Sequence, residues 1–452
     1  MQLPPHQLHA PVRSNIVQVS VNQDGSLFTT AELSGWSVWQ TSPLQLISRR
    51  DFPQGSLKLV VPLHRTNLIW LVGGPPSPLY SPNKVIIYDD NQARPILAFE
   101  FSETVRAVQV RRDRFVVVLR RRVILFAFNV ISGKTIDVWR EGVYPTIDNP
   151  QGLAALASGE GATLLAFPGR QPGHVNIVNL PALDSKRALQ APPPGYDSTL
   201  GPPYPSISII VAHRTHLACL VCSSDGARLA TASSKGTLVR IWDVATARAL
   251  HELRRGTDVA TIFSMRFNPD ASLLALSSDK GTIHIWHIGD VKGKSRAVET
   301  DQQAKLDMFR PYLPRYFSSA WSSCQYRLPV DAPPPSRKLP KLPKTPSALR
   351  SASTDPVKQE AALIAAESAA RKKEARIEAK LARLSLEDEV SHCIWPQAQS
   401  NSPELIVITH AGRWFRLALP SPAQEDTAET ATDCRLLEYH KLAETSAWAA
   451  FA

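Results

Sequence analysis

Methionine and cysteine are scarce in this 452-residue chain, at 3 and 5 residues. No run of 18 or more apolar residues occurs, which leaves no candidate for a membrane-spanning helix. The segment from Met1 to Ser14 lacks the apolar stretch that a secretion signal carries, so secretion is not expected. Five cysteines, an odd number, suit a reducing cytosol better than a disulfide framework. There is no Gly-x-Ser-x-Gly elbow, no Walker loop and no His-Glu-x-x-His, hence no catalytic constellation. The expectation is a cytoplasmic protein that is not an enzyme, holds no cofactor and meets membranes only at their surface. Cys219-x-x-Cys222, following His213 and His216, invites a zinc reading. Leu217 to Ser223 has the pattern of a strand, however, and positions three apart on a strand point to opposite faces. Small core cysteines are the better reading.

Charge of one sign is in excess. The net charge is +11, which calls for an anionic partner, either nucleic acid or an acidic membrane. Between Arg337 and Arg383 twelve basic residues stand against five acidic ones, with no aromatic among them. RNA-binding strands carry stacking aromatics, so electrostatics alone support nucleic acid here, and an anionic membrane surface is favoured. The 37 prolines gather near Pro75 to Pro82, Pro192 to Pro205 and Pro333 to Pro346, where they interrupt the strand pattern.

Two stretches repeat at an offset of 45 residues: Cys222 to Thr237 aligns with Phe267 to Thr282. Asp225 matches Asp270, Ser233 matches Ser278, Gly236 matches Gly281 and Thr237 matches Thr282. Trp242-Asp243 and Trp286 close the two units. A turn Asp, alternating apolar residues, Gly-Thr and an aromatic-ended strand, recurring at this period, is the habit of a four-stranded propeller blade. Between the copies lies Leu253-Arg254-Arg255-Gly256. In an extended segment successive side chains diverge, so the two arginines face different blades. His213, Thr231, Ser233, Thr237 and Arg240 surround the first, and Ser278, Thr282 and His284 surround the second. Hydroxyls, cations and Gly-Thr amides recognise phosphate by charge-assisted hydrogen bonds, for which guanidinium is well shaped. An arginine pair that merely decorates the surface or bridges blades is the competing reading.

These residues resemble the PROPPINs, the phosphoinositide-binding WD-repeat propellers of autophagy, whose hallmark is Phe/Leu-Arg-Arg-Gly. The resemblance also takes in Leu71 to Gly74, Pro82 to Asp90, Val110 to Leu119, Leu164 to Gly169, Gly173 to Val175 and Leu313 to Ser322. It covers about residues 15 to 330, resumes near 390, and is greatest for the branch of WIPI-3 and WIPI-4. By that resemblance the first lipid site falls on Ser233, Gly236, Thr237, Arg240 and Arg254, with Thr231 and His213 beside it. The second falls on Arg255, Gly256, Ser278, Thr282 and His284. Implied ligands are phosphatidylinositol 3-phosphate and phosphatidylinositol 3,5-bisphosphate, bound by a monomer at preautophagosomal, endosomal and vacuolar membranes. The implied protein partner is the autophagy lipid-transfer protein Atg2, with Pro82 to Asp90 and Arg111 to Arg114 as the expected face. A WD-repeat scaffold that binds proteins without lipid is the alternative.

The expected fold is all-β, a seven-bladed WD40-like propeller with a long disordered and helical insert before the last blade. After a flexible N-terminus over 1–14, blades fall near 15–50, 57–100, 105–145, 152–212, 216–255, 260–330 and 390–440. The last is expected to be completed by a strand from the N-terminal region, and the sixth by a fourth strand near Trp321 to Leu328. The basic insert occupies 331–389, its second half helical by its Ala, Glu, Lys and Arg content, and a tail follows at 443–452. A long loop over 289–314 combines five basic residues with Met308, Phe309, Tyr312 and Leu313, a pairing suited to the membrane interface.

Overall fold

The computed structural model describes residues 16–52, 55–131, 135–184, 204, 206–289, 320–329, 389–397, 403–420 and 433–442. The insert 331–388 and the loop 290–314, with Met308, Phe309, Tyr312 and Leu313, lie outside these residues.

Seven sheets, each built on four antiparallel strands, follow one another along the chain, with the loop falling inside the sixth and the insert between the sixth and seventh. The first strands of successive blades contact one another and so line the middle of the ring. Each strand alternates its two faces, and each face packs on a neighbouring blade, which explains why second and third strands are largely buried. In blade 2 Leu68–Gly73 is buried along its length, and in blade 6 so is Leu273–Ser278.

Seven apolar clusters fill the seven clefts, one for each pair of adjacent blades. The seventh closes the ring: Val19, Phe28 and Trp39 of blade 1 pack against Ile394, Ile406, Ile408 and Trp414 of blade 7. Burying side chains of this size stabilises by about 1.5–3 kcal/mol each, so side-chain packing alone can hold such a joint. Gln397 Nε2 adds a hydrogen bond to Asp24 at 3.2 Å. This corrects one expectation. Among the described residues blade 7 borrows no N-terminal strand: Arg435–Lys441 supplies its outer strand and Ile16–Val21 is taken up by blade 1.

Blade 6 has its fourth strand at Cys324–Arg327, within the stretch expected from Trp321 to Leu328. Only Trp321 departs from that expectation: together with Ala320 it pairs in parallel with Leu253 and Arg254 as a fifth strand on blade 5.

The repeated turn chemistry is present in both copies. Asp225 Oδ1 accepts the Ala227 amide at 3.0 Å and Asp270 Oδ1 the Ser272 amide at 3.1 Å. Gly236 and Gly281 close the next turns at φ 63° and 67°, where glycine has no steric penalty. Leu217–Cys222 is a strand, with Cys219 packed toward blade 6 and Cys222 toward blade 4, so the pair does not converge on one ion. Burial pushes the two thiols up to about 11 and about 12.

Candidate phosphoinositide sites

Register decides which way the arginine pair points. Blade 5 consists of Leu217–Cys222, Arg228–Ser233, Leu238–Asp243 and Ala249–Arg254. Thr231 lies opposite Arg240 and Arg240 opposite Glu252, so these three share a face with Ser233 and Arg254. Leu229 and Trp242 continue that face and pack on blade 4. Leu253 and Val239 belong to the other face and pack on blade 6. Arg254 is therefore set on the blade 4 side and Arg255 on the blade 6 side.

Around Arg254 the groups are already knitted together. His213 Nε2 lies 3.0 Å from Thr231 Oγ1, which also accepts the Trp242 indole N–H at 2.9 Å. Burial, helped by the charge of Arg240, lowers His213 to about 4, so its ring is neutral at pH 7. Arg240 donates through Nε to Glu252 at 2.9 Å and through Nη1 to the Ala212 carbonyl at 2.6 Å. Its charge is balanced within the blade. Arg254 is 2% exposed, and its guanidinium carbon stands 5.6 Å from the centre of the Trp321 ring.

Arg255 is buried as well. Its Nε donates to the Gly236 carbonyl at 2.8 Å and a terminal nitrogen to the Asp258 carbonyl. Burial pulls the guanidinium below its ordinary value, while Asp279 and Asp258 offset part of that effect. His284 follows the pattern of His213: burial, then the charge of Arg255, lowers it to about 4. Its ring stacks on Trp286 at 5.7 Å, and Nδ1 lies 3.3 Å from Ser322 Oγ. Ser278 Oγ and Asp279 Oδ1 are buried and lack a hydrogen-bond partner. Since buried polar atoms are nearly always paired, an orphaned hydroxyl beside a buried guanidinium suits a ligand's oxygen. Thr282 is half-buried, directly across from Arg327. Thr237 and Gly256 are half-buried at the rim.

Thr231, Ser233, Arg240 and Arg254 thus share the blade 4 side of blade 5, and Arg255 lies on the blade 6 side; Gly236 and Thr237, expected in the first set, instead meet Arg255 through their carbonyls. Four residues were not anticipated: Glu252, Trp321, Ser322 and Arg327. Their places depend on cross-strand register and on a loop's return path, neither of which leaves a local pattern.

Comparison with known proteins places this arrangement. The PROPPIN family matches residues 198–318, which include the arginine pair. SVP1-like protein 2 of Pichia angusta is 34% identical over 327 residues, 71% of this chain and 84% of that protein. The chain belongs to the PROPPIN family. Autophagy-related protein 18e of Arabidopsis thaliana is a further relative, 30% identical over 70% of this chain and 76% of its own length. Among solved structures, Kluyveromyces lactis Hsv2 with its complete loop 6CD aligns with a TM-score of 0.58 at 19% identity, covering 95% of this chain and 99% of that one. A complex of KlAtg21 with the coiled coil of AgAtg16 aligns at 0.56 and 16% identity, again over 95% and 99%. At these identities the structures speak for the fold. As a PROPPIN, the chain is a phosphoinositide-binding propeller of autophagy. Among the described residues no helix is long and apolar enough to cross a membrane.

The expected partner face needs correcting. Arg111 and Arg114 are 0% and 2% exposed. Arg111 donates to Asp113 at 2.6 Å and to the carbonyls of Ala162 and Pro181, both at 3.0 Å. Arg114 pairs with Glu141 at 2.8 Å. Most of Lys84–Asp89 is core. Arg111, Arg114 and most of Lys84–Asp89 thus serve blade packing, while Arg112 is exposed.

Proposed function

We propose that this PROPPIN is a non-enzymatic peripheral adaptor. It reads phosphatidylinositol 3-phosphate and phosphatidylinositol 3,5-bisphosphate through two sites, one on each side of Leu253-Arg254-Arg255-Gly256. The observation that carries this reading is the divergence of Arg254 and Arg255 onto opposite faces of blade 5, each toward a buried neutral histidine and hydroxyl groups. A guanidinium supplies charge and a fork of donors to a phosphate, and the histidine can take up a proton as the dianion settles. Ser233 and Arg240 complete the first site, and Gly256, Ser278 and Thr282 the second. The membrane is met by Met308, Phe309, Tyr312 and Leu313, whose apolar side chains enter the interface while neighbouring lysines and arginines meet acidic headgroups. Preautophagosomal, endosomal and vacuolar membranes carry these lipids, and Atg2 is the protein partner.

The test is flotation with vesicles containing phosphatidylinositol 3-phosphate, comparing wild type with Arg254→Gln/Arg255→Gln. Because both arginines are buried, unfolding temperature and near-ultraviolet circular dichroism accompany each sample. A folded double variant should lose flotation. Undiminished flotation would overturn the lipid reading and leave a propeller scaffold that binds only proteins.

A further inference from the structure

Blade 6 has one residue fewer than blade 5 between its hairpin glycine and its closing tryptophan, Gly281 to Trp286 against Gly236 to Trp242. Thr282 therefore opens the third strand of blade 6 at the place where Leu238 opens that of blade 5. Cross-strand register carries the equivalence to the outer strands. Leu238 lies opposite Arg254, and Thr282 lies opposite Arg327. Arg327 is thus the blade 6 counterpart of Arg254, each at the last pair of its ladder.

Alternation fixes the face on which Arg327 lies. Ile283, Ile285, Cys324 and Tyr326 pack toward blade 7, so Thr282, His284 and Arg327 share the opposite face, on which Trp286 meets Val239 and Ile241 of blade 5. That is the side of Arg255. The Leu328 amide bonds the Gly281 carbonyl at 2.9 Å, which keeps Arg327 beside the hairpin that carries Ser278. Arg327 is exposed, and among the described residues its side chain has neither an ion pair nor a hydrogen bond. Arg255, by contrast, is buried and already donates to the carbonyls of Gly236 and Asp258. Two guanidiniums therefore serve this side at different depths, one engaged in the interior and one unengaged at the rim.

We propose that Arg327 is a specificity-determining residue of the second site, which takes the second phosphate of a headgroup phosphorylated at positions 3 and 5. The inner phosphate goes to Arg255, His284 and the orphaned Ser278 hydroxyl. A further phosphate on the same ring meets the Arg327 fork, whose N–H groups bind it by charge-assisted hydrogen bonds. A headgroup without that phosphate makes no use of Arg327. This rests on the two-site lipid reading above and gives its second site a preference for phosphatidylinositol 3,5-bisphosphate over phosphatidylinositol 3-phosphate.

The test compares two soluble headgroups, inositol 1,3-bisphosphate and inositol 1,3,5-trisphosphate, titrated by calorimetry into wild type and Arg327→Gln. The arginine is exposed, so the variant should unfold at the wild-type temperature. Arg327→Gln should weaken the trisphosphate at one of two sites roughly 3- to 10-fold, as loss of a charge-assisted contact in a solvated setting does, and should leave the bisphosphate isotherm as it is. The same loss should persist when Arg254→Gln has silenced the first site. A trisphosphate isotherm that Arg327→Gln does not move overturns the proposal. Equal weakening of both headgroups overturns it too, because Arg327 would then attract anions without distinguishing them. An effect that disappears in the Arg254→Gln background would take Arg327 out of the second site. Wild-type protein that binds neither headgroup overturns the lipid reading itself, whereas wild type that binds both with no response to Arg327→Gln overturns only the role of Arg327.

Discussion

Glu252 faces Arg240 across adjacent strands of blade 5 and holds its guanidinium at 2.9 Å, on the face that also carries Arg254. The carboxylate therefore competes with any anion entering the first site. Glu252→Gln keeps the size of the side chain and removes its charge, while Arg240 keeps its bond to the Ala212 carbonyl. With both groups about one third exposed, the pair is worth about 0.2–1 kcal/mol, so headgroup affinity should rise by up to about fivefold. Calorimetry with soluble headgroup checks this. An unchanged or weaker first site would show that Glu252 does not oppose the ligand.

Acidification should move stability and binding in opposite directions. His213 and His284 both titrate at about 4 in the folded protein, below the ordinary 6.5. Between these values the unfolded chain binds more protons, so their contribution to stability is complete above about pH 6.5 and disappears as the pH falls to 4. In blade 7 His392 and His410, lowered by burial to about 3 and about 4, act in the same sense. Each of the two site histidines contributes on the order of 3 kcal/mol at most. A bound phosphate raises a neighbouring histidine, so binding takes up protons and headgroup affinity should increase from pH 7.5 to 5.5. Urea titrations and calorimetry at several pH values measure the two trends. Headgroup affinity that falls on acidification would remove the histidines from the sites.

Much of this was legible in the sequence because blades 5 and 6 repeat their turn chemistry residue for residue. Asp225 and Asp270 cap equivalent turns, and Gly236 and Gly281 adopt equivalent left-handed conformations. That repetition locates the strand that ends in Arg254 and so the divergence of the arginines. Ring closure was not legible, since Val19 and Phe28 against Ile406 and Trp414 is a contact between chain ends with no local signature. The Ala320–Trp321 bridge is too short to show a period. Arg111-Arg112-Asp113-Arg114 misled because a run of charges normally marks a solvated surface, whereas here Arg111 and Arg114 lie inside.

That buried network makes a stability prediction. Asp113 receives both Arg111 and Arg114, and Glu141 pairs with Arg114 at 2.8 Å. Removing Asp113 leaves Arg111 with carbonyl partners alone, and removing Glu141 leaves Arg114 with one carboxylate in place of two. Asp113→Ala and Glu141→Ala should each destabilise by about 3–5 kcal/mol, as breaking one side of a buried ion pair does. Headgroup stoichiometry should be unaltered in the fraction that folds. Denaturant midpoints near wild type would indicate that water reaches these arginines.

Two glycines near the arginine pair should respond differently to the same change. Gly236 sits at φ 63°, and a Cβ there would lie 1.9 Å from the Ala260 carbonyl oxygen. Its own carbonyl receives Arg255 Nε at 2.8 Å. Gly236→Ala must therefore shift either its own turn or the segment after Arg255, disturbing the second site from across the strand. A cost of about 1–3 kcal/mol, typical of a strained backbone position, is expected together with weakened headgroup binding. Gly256, although it belongs to the motif, would place a Cβ with nothing within 4 Å. Gly256→Ala should change stability by no more than about 0.5 kcal/mol, as surface substitutions usually do, and should weaken headgroup binding at the second site, to which Gly256 is assigned. Thermal unfolding and headgroup titration of both variants decide the matter. A Gly256→Ala protein that folds normally and binds as wild type does would remove Gly256 from the second site.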